Sequence, residues 1–271
     1  MSLAGDSLLT LVGGNHYVCE LSTKWWVEAG PNGGYLASIL LRAAQAAELD
    51  GRQPRSLTVH MLRAAKAGVL ELDVELARRG EGMTSLAVRA TQGGEVIALG
   101  LVAMGAERNE FGFAGTQMPE APKPEDCPRI SSESLQNVAA LKPPPIVSQL
   151  DMRFALGHAP FDTSGEARTG GWLALADGSE LDYAAITVLL DSWFPVAYTR
   201  SSGGLAAPTV AYTVDFLSTL PRANEPEGPL LGAFSSPGAH QGHFVEDGEL
   251  WSQNGELVAV SRQHALVLPA Q

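Results

Sequence analysis

The run YLASILLRAAQAAE, Tyr35–Glu48, decides the fold. Leu36, Ile39, Leu40, Ala43 and Ala47 recur at three- and four-residue steps, which lines one face of a helix. The run is so apolar that burial on more than one side is expected. The chain enters it through Pro31-Asn32-Gly33-Gly34 and leaves it through Gly51-Arg52-Gln53-Pro54, both strong breaks. Downstream, four segments follow: Ser56–Arg63 (SLTVHMLR), Gly68–Arg78 (GVLELDVELAR), Met83–Thr91 (MTSLAVRAT) and Glu95–Ala103 (EVIALGLVA). In Val69–Val74 apolar and acidic residues alternate strictly, as a sheet with one wet face requires. The breaks at Arg79-Gly80-Glu81-Gly82 and Gln92-Gly93-Gly94 are hairpin-like. A buried helix followed by antiparallel strands predicts a sheet curled around that helix. Upstream, Tyr17–Trp26 (YVCELSTKWW) reads as one more strand, ending in aromatic residues.

The pattern then repeats. Glu107–Pro145 dissolves into Pro-, Ser- and Glu-rich sequence, with Pro119, Pro122, Pro124, Pro128 and Pro143–Pro145; such a stretch reads as a linker over the surface, with one short helix at Ser132–Leu141. Beyond it, Leu150–Leu156 and Glu166–Leu175 read as strands and Leu181–Tyr198 as a helix. Thr209–Leu217, Pro229–Ser235, Gln241–Glu246, Glu249–Ser252 and Glu256–Leu268 read as further strands. Two internal matches support a duplication: Thr91–Ala98 (TQGGEVIA) with Ser252–Ala259 (SQNGELVA), and Val59–Leu62 (VHML) with Val214–Leu217 (VDFL). The expected layout is an α+β repeat at 1–106, a Pro-rich linker at 107–149 and a second repeat at 150–271. A chain of 271 residues is also long for one compact core.

With 45% hydrophobic and 18% charged residues the chain is globular. Its net charge of −12 argues against nucleic acid, whose phosphates need clustered Lys and Arg. A single phosphorylated ligand remains compatible, since a few local Arg side chains suffice for it. No basic segment leads into an apolar run with a small-residue cleavage site, and no window approaches roughly eighteen uninterrupted apolar residues, so neither export nor a membrane span is expected. Cys19 and Cys127 form no C-x-x-C pair; a reducing cytoplasm is the simplest setting.

One acid stands out. Asp191 interrupts the apolar stripe Tyr183, Ile186, Thr187, Leu190, Phe194 and Ala197. Pro195, four residues on, cannot donate to the Asp191 carbonyl and should open that turn. Asp191 capping a helix that starts near Ser192 is the plainer alternative. Thr213 and Gln263 lie on predicted strands, where a place on the wet face is the plain reading of each; only convergence with Asp191 would overturn it. No G-x-S-x-G elbow, P-loop or dinucleotide fingerprint occurs. His240 and His243 form an H-x-x-H without a third ligand, so no metal site is expected. His60 reads as a packed or pore-side residue, and Trp25 and Trp26 as wall.

Four stretches together resemble the acyl-CoA thioesterase II-like proteins of the hotdog superfamily: Gly33-Gly34-Tyr35-Leu36-Ala37, SLTVHMLRAAKAG at Ser56–Gly68, LDSWFPV at Leu190–Val196, and Ser261-Arg262-Gln263. The resemblance runs from about Tyr17 to Leu268. It implies a double hotdog, each helix wrapped by an antiparallel sheet, in one continuous curved sheet around two central helices. It also implies hydrolysis of an acyl-CoA thioester to a carboxylic acid and CoA without a cofactor. An Asp, a Thr and a Gln would hold the attacking water, and by motif position they fall on Asp191, Thr213 and Gln263, with Thr209 the nearby alternative to Thr213. Gly33, Gly34, Tyr35, His60, Trp193 and Phe194 would line the substrate site, with the Gly34 N–H or others near Asp191 on the oxyanion. Arg42, Arg63, Arg200 or Arg262 would meet CoA phosphates. A non-catalytic acyl-CoA-binding or sensing protein is the alternative, and a hotdog hydratase ranks after it. The first repeat has no acid between Gly30 and Arg42, so one active site per chain is expected. A further homodimer is compatible but unforced.

Overall fold

The computed structural model describes residues 2–28, 30–108, 111–139, 143–163, 165–220 and 228–269. After a one-turn helix, α1 (Leu3–Asp6), come β1 (Thr10–Gly13), β2 (His16–Leu21) and the long helix α2 (Gly33–Ala47). Four strands follow: β3 (Gln53–Met61), β4 (Gly68–Arg79), β5 (Met83–Gln92) and β6 (Glu95–Gly105). The second set is α3 (Ser132–Ala139), β7 (Leu150–Gly157), β8 (Arg168–Leu175), α4 (Tyr183–Leu189), β9 (Thr209–Phe216), β10 (Leu230–His240), β11 (His243–Trp251) and β12 (Leu257–Leu266).

All twelve strands form one antiparallel sheet, in the order β1-β2-β4-β5-β6-β3-β9-β12-β11-β10-β8-β7. Either side of its centre the order is the same, read outward. At the centre β3 pairs with β9, with Val59 opposite Tyr212, Thr58 opposite Thr213 and Leu57 opposite Val214. The VHML and VDFL match makes Val59 the counterpart of Val214, and therefore Thr58 that of Thr213. The repeats thus meet at their own equivalent residues, and a pseudo-twofold axis runs between the Thr58 and Thr213 hydroxyls, 3.1 Å apart. α2 and α4 pack together in the concave face over Ile39, Leu40, Leu57, Val59, Ile186, Leu189 and Val214, all fully buried. This is the double hotdog expected from the resemblance.

Several local expectations change. The helix over Leu181–Tyr198 stops at Leu189, and a separate 3-10 turn occupies Val196–Arg200. Pro195 forces the break: it offers no N–H to the Asp191 carbonyl and disfavours helical geometry in the residue before it. Gln241–Glu246 and Glu249–Ser252 are one strand, β11, running without a break through Gly248, which pairs with Phe234 and Ser261. Gly248 is a space for the Phe234 ring, which a Cβ there would meet at 3.0 Å, and not a turn. Strand β10 likewise runs past Ser235 to His240, absorbing Pro237 where its register shifts between Ser235 and Gly238. The aromatic end of Tyr17–Trp26 is a 3-10 turn at Thr23–Trp25 followed by a short bridge strand. The short helix expected at Ser132–Leu141 covers Ser132–Ala139, and Leu141 lies outside the described residues.

The Pro-rich stretch is more than a tether. The Trp172 Nε1–H donates to the Pro122 carbonyl at 2.9 Å, Arg153 to that of Pro124 at 2.9 Å, and the Ile130 N–H to that of Met152 at 2.7 Å. Cys127 joins Trp172, Leu231 and Trp251 in a second apolar cluster. The stretch roofs the outer face of the second half-sheet, so β8 is buried on both faces. Among the described residues no helix is long and apolar enough to cross a membrane.

Candidate active site

Asn32 caps α2: its Oδ1 accepts the Tyr35 N–H at 2.9 Å. This leaves its Nδ2 facing the end of α4. There the last turn tightens, with the Asp191 N–H on the Val188 carbonyl at 3.1 Å and the Ser192 N–H on that of Leu189 at 3.3 Å. The Asp191 carbonyl, which Pro195 cannot serve, receives Asn32 Nδ2 at 2.8 Å. The same Nδ2 donates to Asp191 Oδ2 at 2.9 Å, and the Gly34 N–H donates to that oxygen at 2.5 Å. Gln263 Nε2 donates to Asp191 Oδ1, and the Thr209 hydroxyl donates to Gln263 Oε1 at 3.2 Å. Both repeats therefore build one cluster: Asn32 and Gly34 from the first, Asp191, Thr209 and Gln263 from the second.

The close crossing of the two helices needs Gly34. A Cβ there would stand 2.7 Å from Asp191 Cβ and 2.8 Å from the Thr187 carbonyl oxygen. Gly33 faces the same space, its virtual Cβ 3.0 Å from Asp191 Oδ2 and 3.5 Å from Thr209 Oγ1.

Burial pushes the Asp191 carboxyl up from the usual carboxylate range to about 6, against the pull of the Gly34 N–H, Gln263 and Asn32. The positive end of the α2 dipole also favours the anion. A carboxylate accepts about four hydrogen bonds. Among the described residues Asp191 receives two on Oδ2 and one on Oδ1 from these groups, which leaves an acceptor position on Oδ1, beside Gln263 and Thr209. Asn32 and Gln263 are buried, while Gly33, Asp191 and Thr209 are partly exposed and form the mouth.

A second carboxyl, not expected from the sequence, lies alongside. Glu246 is buried opposite Gln263 on the neighbouring strand, and its Oε2 accepts the Val196 N–H at 2.5 Å. Burial, with the Asp191 charge adding to it, pushes Glu246 up to about 8. The signal was present: Phe244 and Glu246 share a face of one strand, and Phe244 is core.

Not all expected site residues meet here. Thr213 pairs with Arg262 and Thr58 on the convex face, away from Asp191. The register of β9 shifts between Thr209 and Ala211. That shift turns Thr209 to the face of Tyr212 and Gln263, so Thr209 takes the place expected of Thr213. His60, exposed opposite Ala211, is also on the convex face and does not line the site. The Tyr35 side chain is core: it stacks on Trp25, and its hydroxyl donates to the Asp6 carbonyl. Trp193 stacks between Phe154 and Phe234, its Nε1–H donating to Thr169 Oγ1 at 3.0 Å, and Phe194 meets it edge-on. The Gly34 N–H is already engaged by Asp191. The candidate phosphate ligands have partners too: Arg42 with Asp182, Arg63 with Glu95, Arg262 with Asp247, and Arg200 with the Gly165 carbonyl.

The pseudo-twofold axis generates a counterpart of the cluster, built from different side chains. The N-cap of α4 is Asp182, which accepts from Arg42 of α2 at 2.9 Å, where the cap of α2 meets Asp191 of the other helix. Thr209 corresponds to Pro54, beside the matching register shift in β3, and Gln263 to Val102. An ion pair and two apolar side chains replace the carboxylate, hydroxyl and amide.

Two family models match: the acyl-CoA thioesterase C-terminal domain over residues 124–267 and the acyl-CoA thioesterase N-terminal domain over 22–105. No curated protein matches the chain. Among solved structures, a hot dog protein of unknown function from Alicyclobacillus acidocaldarius is 26% identical, with TM-score 0.88 over 99% of this chain and 98% of that one. The acyl-CoA thioesterase II TesB2 from Mycobacterium marinum is 22% identical, with TM-score 0.76 over 100% of this chain and 99% of that one, a likeness of fold.

Proposed function

The chain belongs to the acyl-CoA thioesterase family, and we propose that it hydrolyses an acyl-CoA thioester at one site per chain with Asp191 as general base. The observation that carries this reading is the convergence of Asp191, Gln263 and Thr209 around one open acceptor position. A water there would donate one proton to Asp191 Oδ1 and be oriented by the Thr209 hydroxyl and the Gln263 amide. A carboxyl titrating at about 6 is ionised at neutral pH yet basic enough to accept that proton. The water oxygen attacks the thioester carbonyl carbon, a C–O bond forms, and the carbonyl oxygen becomes an oxyanion. With the Gly34 N–H engaged, the Gly33 N–H, which has no partner among the described residues, is the helix-terminal donor left for it. Collapse breaks the C–S bond, and the proton on Asp191 passes to the departing thiolate. No covalent acyl-enzyme is required.

The test is thiol release from a panel of acyl-CoA chain lengths by the wild type and Asp191→Asn. Release by the wild type that falls by about 10²-fold or more in the variant supports the reading. Binding of acyl-CoA without release at any chain length overturns it in favour of a non-catalytic binding protein.

A further inference from the structure

The Asp191 carboxylate is held by Asn32 and Gly34 from the first repeat and by Gln263 from the second, and the turn that carries it is tied to its own half-sheet by the Trp193 indole on Thr169 and, at its far end, by a carboxyl. Leaving α4, the chain runs Asp191-Ser192-Trp193-Phe194-Pro195 before the 3-10 turn at Val196. The Val196 N–H, first of that turn, donates to Glu246 Oε2 at 2.5 Å. Glu246 sits directly opposite Gln263 on the concave face, and Gln263 in turn faces Tyr212, whose hydroxyl donates to the Thr187 carbonyl of α4 at 2.8 Å. Such opposed side chains have Cβ atoms about 5 Å apart and constrain one another.

We propose that Glu246 is a positioning residue for this site, clamping the Asp191 turn through the Val196 N–H to β11, the strand paired with the one that presents Gln263. It touches no reacting atom and acts through those two neighbours. The inference rests on the hydrolase reading of Asp191.

The chemistry of the clamp gives it a signature. A carboxyl that titrates at about 8 is largely uncharged at neutral pH and leaves Asp191 as the anion of the pocket among the described residues. Around it stand Asp191 on the turn, Tyr212 on β9, kept protonated by burial, and Asp247 next along β11, whose charge Arg262 takes up at 2.6 Å. Tyr198 and Arg200 follow Val196 on the 3-10 turn; burial pushes Tyr198 up, and Arg200 is exposed on the Gly165 carbonyl. Ionising Glu246 places a second negative charge beside Asp191, which opposes the oxyanion. Hydrolysis therefore falls on the alkaline side as Glu246 ionises.

The test compares wild type, Glu246→Gln and Glu246→Leu in kcat and KM from about pH 5.5 to 9.5, with melting temperature recorded for each. Gln keeps an acceptor for Val196 and cannot ionise. It should hold kcat at neutral pH within about twofold and abolish the alkaline decline while the acid limb stays. Leu removes the acceptor and should lower kcat about tenfold or more with KM little changed. A Gln profile that superimposes on the wild type overturns the inference, and does so even if the Leu variant fails to fold. A wild type that releases no thiol overturns the hydrolase reading itself, so the two failures are distinct.

Discussion

The side-chain Nδ2 of Asn32 bonds the main-chain carbonyl of Asp191 at 2.8 Å and its carboxylate at 2.9 Å. One amide thereby closes the end of α4 and orients the Asp191 carboxylate. Its other end caps α2, so the carboxylate is fixed to the helix whose dipole supports its charge. Asn32→Ala should cost about 1 kcal/mol for the lost cap, with a further loss for the bared carbonyl. Asn32→Asp keeps the cap but sets a second carboxylate against Asp191; the acid limb of the pH–rate profile should move upward, because a like charge favours the protonated base. Melting curves and pH–rate profiles of both variants check this.

Thr209 and Thr213 separate what the geometry shows from what the sequence suggests. Thr209→Val removes the hydroxyl that orients the Gln263 amide and should lower kcat roughly tenfold, the kinetic equivalent of ~1.4 kcal/mol. Thr213→Val removes only the contact with Thr58 on the convex face and should leave kcat within about twofold. The reverse ranking would restore Thr213 and reject the site as described.

The same pair shows where sequence reading stops. Helix α2, the four strands after it and the duplication were legible because apolar periodicity and glycine breaks encode them directly. The site is another matter: Thr209 and Thr213 are four residues apart and, in a regular strand, would share a face. One register shift puts them on opposite faces, and nothing in TVAYT announces it. Asp191 was visible as an acid in an apolar run, and Pro195 signalled the broken turn. That Asn32, 159 positions away, would supply the missing donor depended on tertiary packing alone. The split between Gln241–Glu246 and Glu249–Ser252 erred in the other direction, since a glycine that leaves space for a ring and one that makes a turn look alike in one letter.

Gly34→Ala should be among the most damaging small substitutions. Its new methyl would press on Asp191 Cβ and on the Thr187 carbonyl, both backbone or near-backbone atoms that cannot swing aside. Overpacking of this kind costs about 1–3 kcal/mol, and the shift of α4 would carry Asp191 off Gln263. A lower melting temperature together with lost turnover is the expected result.

Arg42 was a candidate for a CoA phosphate, but it lies on the dyad-related counterpart of the candidate site, bonded to the cap of α4. Arg42→Gln should therefore lower the melting temperature, by loss of a half-buried pair and of support for that cap, while KM for acyl-CoA stays within about twofold. A large rise in KM with unchanged stability would place the substrate on the other side of the molecule.

Stability should also depend on pH in a way set by the site. Asp191 titrates at about 6 and Glu246 at about 8 in the folded chain, both above the usual carboxylate values, chiefly through burial. The folded state thus binds these protons more tightly than the unfolded state. Their contribution is fully present below the unfolded values, near pH ~4, and is lost as pH rises through about 6 for Asp191 and about 8 for Glu246. Melting temperature should decline in two stages over that range. Asp191→Asn should remove the first stage and Glu246→Gln the second, each variant melting above the wild type at pH ~9. Asp191→Asn would then be inactive yet more stable in alkali, which is the outcome expected of a buried charge kept for chemistry. A variant that melts below the wild type across the whole range would show that the carboxylate is held for the fold.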